Sequence, residues 1–222
     1  GILLKHRDWR ILFTLNVVNL VAVIFKVGII IYFCNYVLRR SDLSSMMITI
    51  SIVSGLAGTI LSVYIFRGMD KVRGFKLAML LEAILLALLY FFSQSSLIII
   101  FAFIIAINFI QLAATPLQWA MLSDVVDAIE RDTGKKMSGI VFSTNLFAIK
   151  LGIAIGGALM GWLLSWSGYI GGAAQQPQAA ILIIKLTFTI LPAVLVLALV
   201  LIMRRYSLSD RSLAVVEKTS TL

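Results

Sequence analysis

The chain of 222 residues holds one cysteine and one histidine, and only 13% of its residues are charged. With Cys34 alone no internal disulfide forms, and inside an apolar run it reads as a small packing residue. The lone histidine, His6, precedes the first apolar run. No zinc-ligand spacing and no nucleophile–base pair accompanies it, which argues against an intramembrane enzyme and against any cofactor. Soluble domains carry about 25% charged residues. A water-soluble fold therefore cannot clothe a chain that is 61% hydrophobic with a mean hydropathy of +1.04. The net charge of +9 is scattered over short loops, with no basic stripe interleaved with aromatics, so nucleic acid is not an expected partner. A cleavable secretory signal is missing too, because the first apolar run is too long and has no small-residue cleavage site.

What the chain has in abundance is long apolar sequence. Six runs, approximately Ile11–Leu38, Met46–Phe66, Phe75–Phe92, Leu97–Leu122, Ile140–Trp166 and Ile181–Met203, lie near the ~20-residue length that crosses a bilayer as a helix. The basic residues between them alternate in density. Lys5, Arg7 and Arg10, then Arg67, Lys71, Arg73 and Lys76, then Arg131, Lys135 and Lys136, then Arg204, Arg205, Arg211 and Lys218 fall on one side. Only Arg39 and Arg40 fall on the other. Lys and Arg resist translocation, so the rich side is cytoplasmic, and both termini with it. The expectation is an all-α, multi-pass protein of the cell (inner) membrane, surrounded by lipid. Residues 1–203 would form a six-helix bundle and 204–222 a cytoplasmic tail. The start at Gly1, directly before a charged segment, reads as a cut in a linker and raises the expectation of a missing half.

Ionisable groups within the spans are costly and tend to be paired. Four occur: Lys26, Glu82, Lys150 and Lys185. Lys185 is close enough to the outer end of the sixth span to snorkel. Lys26 and Lys150 are deep, and Glu82 reads as shallower, about 10 Å from the cytoplasmic end. Two deep lysines and one carboxylate do not balance, so either a lysine is neutral or an acidic partner lies outside the chain.

The fourth span carries the clearest polar face. Asn108, Gln111, Thr115 and Gln118 share an arc of about 80°, Trp119 borders it, and Pro116 interrupts the helix and frees the Leu112 carbonyl. Amides and a hydroxyl beside an indole suit a sugar; interhelical hydrogen bonding is the alternative. The first span repeats the pattern with Asn16, Asn19 and Lys26. Ser51, Ser54, Gly55, Gly58 and Ser62 on the second span, and Gly152, Gly156, Gly157 and Gly161 on the fifth, read as close-packing stripes. At the cytoplasmic end of the fourth span, Asp124 and Asp127 share a face at a helix C-terminus, where carboxylates are disfavoured by ~0.3–1 kcal/mol. Cations such as Arg67 or Arg73 would offset that cost, either at a solvated helix end or in a salt-bridge gate.

The stretches Gln118–Asp127, Thr133–Ser143 and Gly156–Trp162, together with Lys150, resemble the glycoside-pentoside-hexuronide:cation symporters, the melibiose-carrier-like branch of the major facilitator superfamily. Asp70-Lys-Val-Arg73 is similar to an Asp-Lys-x-Arg loop in that family's second half. The resemblance runs from about Arg10 to Asp210. It implies one six-helix half of a twelve-helix major facilitator fold, built from two inverted three-helix repeats, with the N-terminal half missing. It further implies sugar or glycoside contacts along the Gln118 helix and a coupling role for Lys150; the candidate cytoplasmic gate, read from the charges themselves, comprises Asp70, Arg73, Asp124 and Asp127. The coupling cation, Na⁺ or H⁺, would be held by carboxylates of the other half. Thr115 stands where the melibiose carrier has its sugar-stacking tryptophan, so the resemblance does not point to melibiose. The expected activity is cation-coupled symport of a glycoside, pentoside or hexuronide. A lysolipid carrier of the same superfamily branch and a non-transporting six-helix assembly protein are the alternatives.

Overall fold

A computed structural model describes residues 2–208. The expected tail beyond Leu208, with Arg211 and Lys218, lies outside the described residues. After a short turn at Ile2–Lys5, six helices are long and apolar enough to cross a membrane: α1 (Arg7–Val37), α2 (Ser41–Ile65), α3 (Lys71–Phe92), α4 (Leu97–Thr133), α5 (Ser138–Trp166) and α6 (Gln178–Arg205). No strand occurs among the described residues.

Each expected apolar run corresponds to one helix, the first two runs overshooting theirs by one residue at Leu38 and Phe66, and several helices are longer because polar residues extend them. α3 begins at Lys71 rather than Phe75, since the Asp70 carboxylate caps it by accepting from the Arg73 amide at 3.0 Å. α4 continues past Leu122 to Thr133. This extension is amphipathic, with Val125, Val126, Ala128 and Ile129 buried while Asp127 faces out. Gly134 ends it in the left-handed conformation at φ 64°. Glu130 then reaches across the loop to accept from the amides of Met137 and Ser138, at 2.8 and 3.0 Å. One carboxylate thereby occupies the start of α5, where the helix dipole favours negative charge.

The helices pack in a ring with one gap. α2 packs on α4, α4 on α3, α3 on α6, α6 on α1 and α1 on α5, whereas α2 and α5 form the two flanks and are not packed together. The same pairings result when the first three helices are exchanged with the last three. That is the symmetry of two three-helix repeats, and an odd number of crossings per repeat inverts the second relative to the first.

Close approach in the tightest pairs depends on glycine. A side chain at Gly58 would run into the backbone of Phe109, and one at Gly152 into Val17. Gly157 and Gly161, expected to pack similarly, instead face open space. The nearness of α2 to α4 also meets a need created by Pro116. The helix is interrupted at Ala114; Thr59 donates to the Leu112 carbonyl at 3.2 Å, and Ser62 to the Ala113 carbonyl at 2.7 Å. In lipid these carbonyls have no water to turn to. Gly58→Val is expected to force α2 off α4, expose both carbonyls and cost more than the ~1–3 kcal/mol of ordinary overpacking. A lowered unfolding temperature in detergent would report it, and an unchanged one would contradict it.

The end of the bundle where α1 starts and α6 finishes is tied together by polar contacts. Asp8, buried at the start of α1, accepts from the Ser207 amide and hydroxyl at 2.8 and 2.6 Å. The Tyr206 hydroxyl donates to the Met121 carbonyl at 3.2 Å. Burial pushes the Tyr206 phenol well above its ordinary range, and the neighbouring charges of Asp124 and Asp8 add to the shift.

Candidate functional site

Four helices enclose a cavity of about 340 Å³ that lies behind the gap between α2 and α5. That is near the lower end of the ~300–1,000 Å³ range of small-molecule sites. α4 contributes Asn108, Gln111, Thr115, Gln118 and Trp119, α1 contributes Asn16 and Asn19, and α5 contributes Asn145. The whole expected strip on α4 therefore reaches one cavity, and Asn19 joins it.

The hydrogen bonds of the wall decide what it offers a ligand. Lys26 has only protons to give. Its Nζ donates to Glu82 Oε1 at 2.5 Å and to Gln111 Oε1 at 2.8 Å. Gln111 must therefore accept with its oxygen, which leaves its amide N–H groups for the cavity. Asn16 is fully occupied: its Nδ2 donates to the Leu12 carbonyl at 2.9 Å and to Asn145 Oδ1 at 2.6 Å, and its Oδ1 accepts from Gln118 Nε2 at 2.5 Å. Gln118 thus keeps its oxygen, and Asn145 its N–H groups, for a ligand. Asn108 donates to the Ile104 carbonyl at 2.8 Å and keeps its oxygen. Asn19 Oδ1 is buried without a partner. The wall thus offers both donors and acceptors. Trp119 stands beside it, 40% exposed and stacked on Phe142 with centroids 6.5 Å apart.

Three expectations need correction. Lys26 and Lys150 together seemed to call for acid outside the chain, but Lys26 finds its partner within it. Glu82 is half-way along α3 rather than shallow, and it is fully buried against Lys26. Lys26 therefore acts behind the cavity wall, through Gln111. Lys150 is different: it is exposed, on the α5 face opposite the residues that pack on α1, and it makes no hydrogen bond or ion pair with the described residues. At the expected gate, the cation on Asp124 is Lys71, at 2.7 and 2.8 Å, not Arg67 or Arg73. Asp70 serves as the α3 cap, while Asp127 and the Arg73 side chain are exposed.

Asn145 is the site residue that the sequence reading missed. Its signal was slight: one amide in an apolar span, seven residues before Gly152 and so on the same face.

A family model described as MFS/sugar transport protein matches residues 1–210. The chain belongs to this family. The inner membrane symporter YicJ of Escherichia coli is 35% identical over 96% of the chain. The candidate glycoside/cation symporter YagG of the same organism is 31% identical over 94%, and a glucuronide carrier protein homolog, also from Escherichia coli, is 28% identical over 82%. The chain spans about half the length of these curated relatives, 46%, 45% and 40% respectively. It is a multi-pass membrane chain of a transporter family.

Proposed function

We propose that this chain is the C-terminal half of a cation-coupled symporter for a glycoside, pentoside or hexuronide, working by alternating access in the inner membrane with both termini cytoplasmic. The amide-lined cavity carries this reading. Besides the engaged Asn16, five amide side chains and a threonine hydroxyl beside an exposed indole match a ring of hydroxyl groups with one apolar face, and the mix of donors and acceptors matches hydroxyls, which both give and take. The cavity lies behind a gap in the helix ring, as a site shared with a second six-helix half requires. The names and lengths of the relatives agree with a half carrier. The mid-span carboxylate, Glu82, is already held by Lys26, so the Na⁺ or H⁺ that drives transport is assigned to carboxylates of the other half.

Uptake of labelled glycosides, pentosides and hexuronides into vesicles containing the complete carrier, with and without Na⁺ and proton gradients, tests the proposal. Accumulation driven by one cation gradient is the expected result, and no uptake of any sugar would overturn it. Gln118→Ala removes one acceptor from the cavity and unpins Asn16. Sugar affinity is expected to fall by about 10- to 100-fold, in line with the ~1.5–3 kcal/mol cost of losing such a hydrogen-bond network. Unchanged affinity would assign Gln118 to helix packing instead.

A further inference from the structure

We infer that the preferred substrates carry a flat apolar aglycone, about one aromatic ring in size, and that a slot beside the sugar cavity receives it. This presupposes the carrier reading above and narrows its substrate class.

The slot is a second cavity of about 100 Å³ that shares Val27, Ser51, Ile52 and Asn108 with the sugar cavity. The two cavities are therefore immediate neighbours along α1, α2 and α4. Its remaining wall is almost wholly hydrocarbon: Ile30, Ile48, Leu86, Leu89, Ile104, Ile107 and Phe188. These come from five helices, and Leu86, Leu89, Ile104 and Ile107 are buried to 2% exposure or less. A void walled this way holds water poorly. An engineered apolar cavity of ~150 Å³ stays dry and binds benzene, and this slot is of that order. Asn108 stands at the junction of the two spaces. Its Nδ2 is fixed on the Ile104 carbonyl, and beyond it the slot's neighbours are almost all apolar.

Size and polarity together restrict the occupant. A free hexose would leave the slot empty, and a second sugar ring would bring hydroxyls into a wall with almost no partners for them, which is costly. A long acyl chain exceeds the volume. A single aromatic or compact alicyclic ring joined through the glycosidic oxygen fits both parts, with hydroxyls against the amides and the ring among the isoleucines.

The test compares methyl, phenyl and dodecyl glycosides of one transported sugar as competitors for its uptake by the complete carrier. The phenyl glycoside is expected to compete about 10- to 100-fold better than the methyl glycoside, which is what burying one apolar side chain of that size yields. Ile48 lines only the slot and is half-buried, so Ile48→Phe fills it at little risk to folding and should bring the phenyl-to-methyl ratio close to one. Ile48→Ala should instead shift the preference toward a naphthyl ring. Equal competition by phenyl and methyl glycosides, or a ratio untouched by Ile48→Phe, would overturn the inference and leave the carrier reading intact. A dodecyl glycoside outcompeting the phenyl one would overturn it in favour of a chain-binding groove. Failure of every glycoside to compete or move would sink the carrier reading itself.

Discussion

Replacing Glu82 alone, as Glu82→Leu, is expected to destabilise the bundle by about 3–5 kcal/mol, because it strands the buried Lys26 ammonium. Glu82 is fully buried, Lys26 is 6% exposed, and the ammonium's other hydrogen bond goes to Gln111. A charge pair of this kind is weak evidence of stabilisation, since taking both ions out of water costs about as much as their attraction returns. Removing one ion is another matter. The double change Lys26→Met with Glu82→Leu should therefore recover most of the loss, and the two effects should be strongly non-additive. Thermal unfolding of the four variants in detergent checks this. Additive losses, or a Glu82→Leu variant as stable as the parent, would show that the pair is not the contact described. Even the stable double variant should bind sugar less well, because Gln111 then loses the ammonium that fixes its oxygen and its amide is free to turn over.

Much of this architecture is legible in the sequence, and the parts that are not share a cause. Apolar run length placed all six helices, because it is a property of one segment at a time. The strip from Asn108 to Gln118 was readable for the same reason: helical periodicity fixes which residues of one helix share a face. Lys26 and Glu82 are 56 residues apart on different helices. Nothing within either helix says how the two are rotated against each other, so their pairing emerged only in three dimensions. Lys71 in place of Arg67 or Arg73 on Asp124 is the same kind of miss, since three cations in one loop are equivalent until the helix start at Asp70 aims one of them. The underestimated length of α4 has a different origin. Its last turns are amphipathic rather than apolar, and apolar run length is blind to them. The breaking of the helix at Pro116, by contrast, was foreseen, and the Thr59 and Ser62 hydroxyls that repair it turned a generic small-residue stripe on α2 into a specific polar contact.

Lys150→Ala is expected to abolish uphill accumulation of sugar while leaving the bundle folded. Lys150 shares its face of α5 with Ser143, Ala154 and Gly157, all exposed. The opposite face, with Asn145, Gly152 and Gly156, is buried, and Gly152 and Gly156 lie against Val17, Val21 and Ile24 of α1. Truncating Lys150 therefore removes no contact within the described bundle. Left in lipid, a mid-span lysine costs at least ~2.5–3.5 kcal/mol. Its retention fits a face that meets the other half, where small neighbours leave the ammonium room. We propose that it holds the cation-binding carboxylates of that half when no cation is present and releases them when one arrives. Cation occupancy is thereby linked to the closing of the two halves on sugar. Such linkage between two sites is typically about 1–3 kcal/mol, or 5- to 150-fold in affinity. In the parent carrier, sugar should bind that much tighter with the driving cation than without it, and in Lys150→Ala the two affinities should converge. Lys150→Arg keeps the charge but spreads it over a larger planar group, so it should restore part of the difference. A folded Lys150→Ala carrier that still accumulates sugar against its gradient would overturn the coupling role, because accumulation would then proceed without the ammonium.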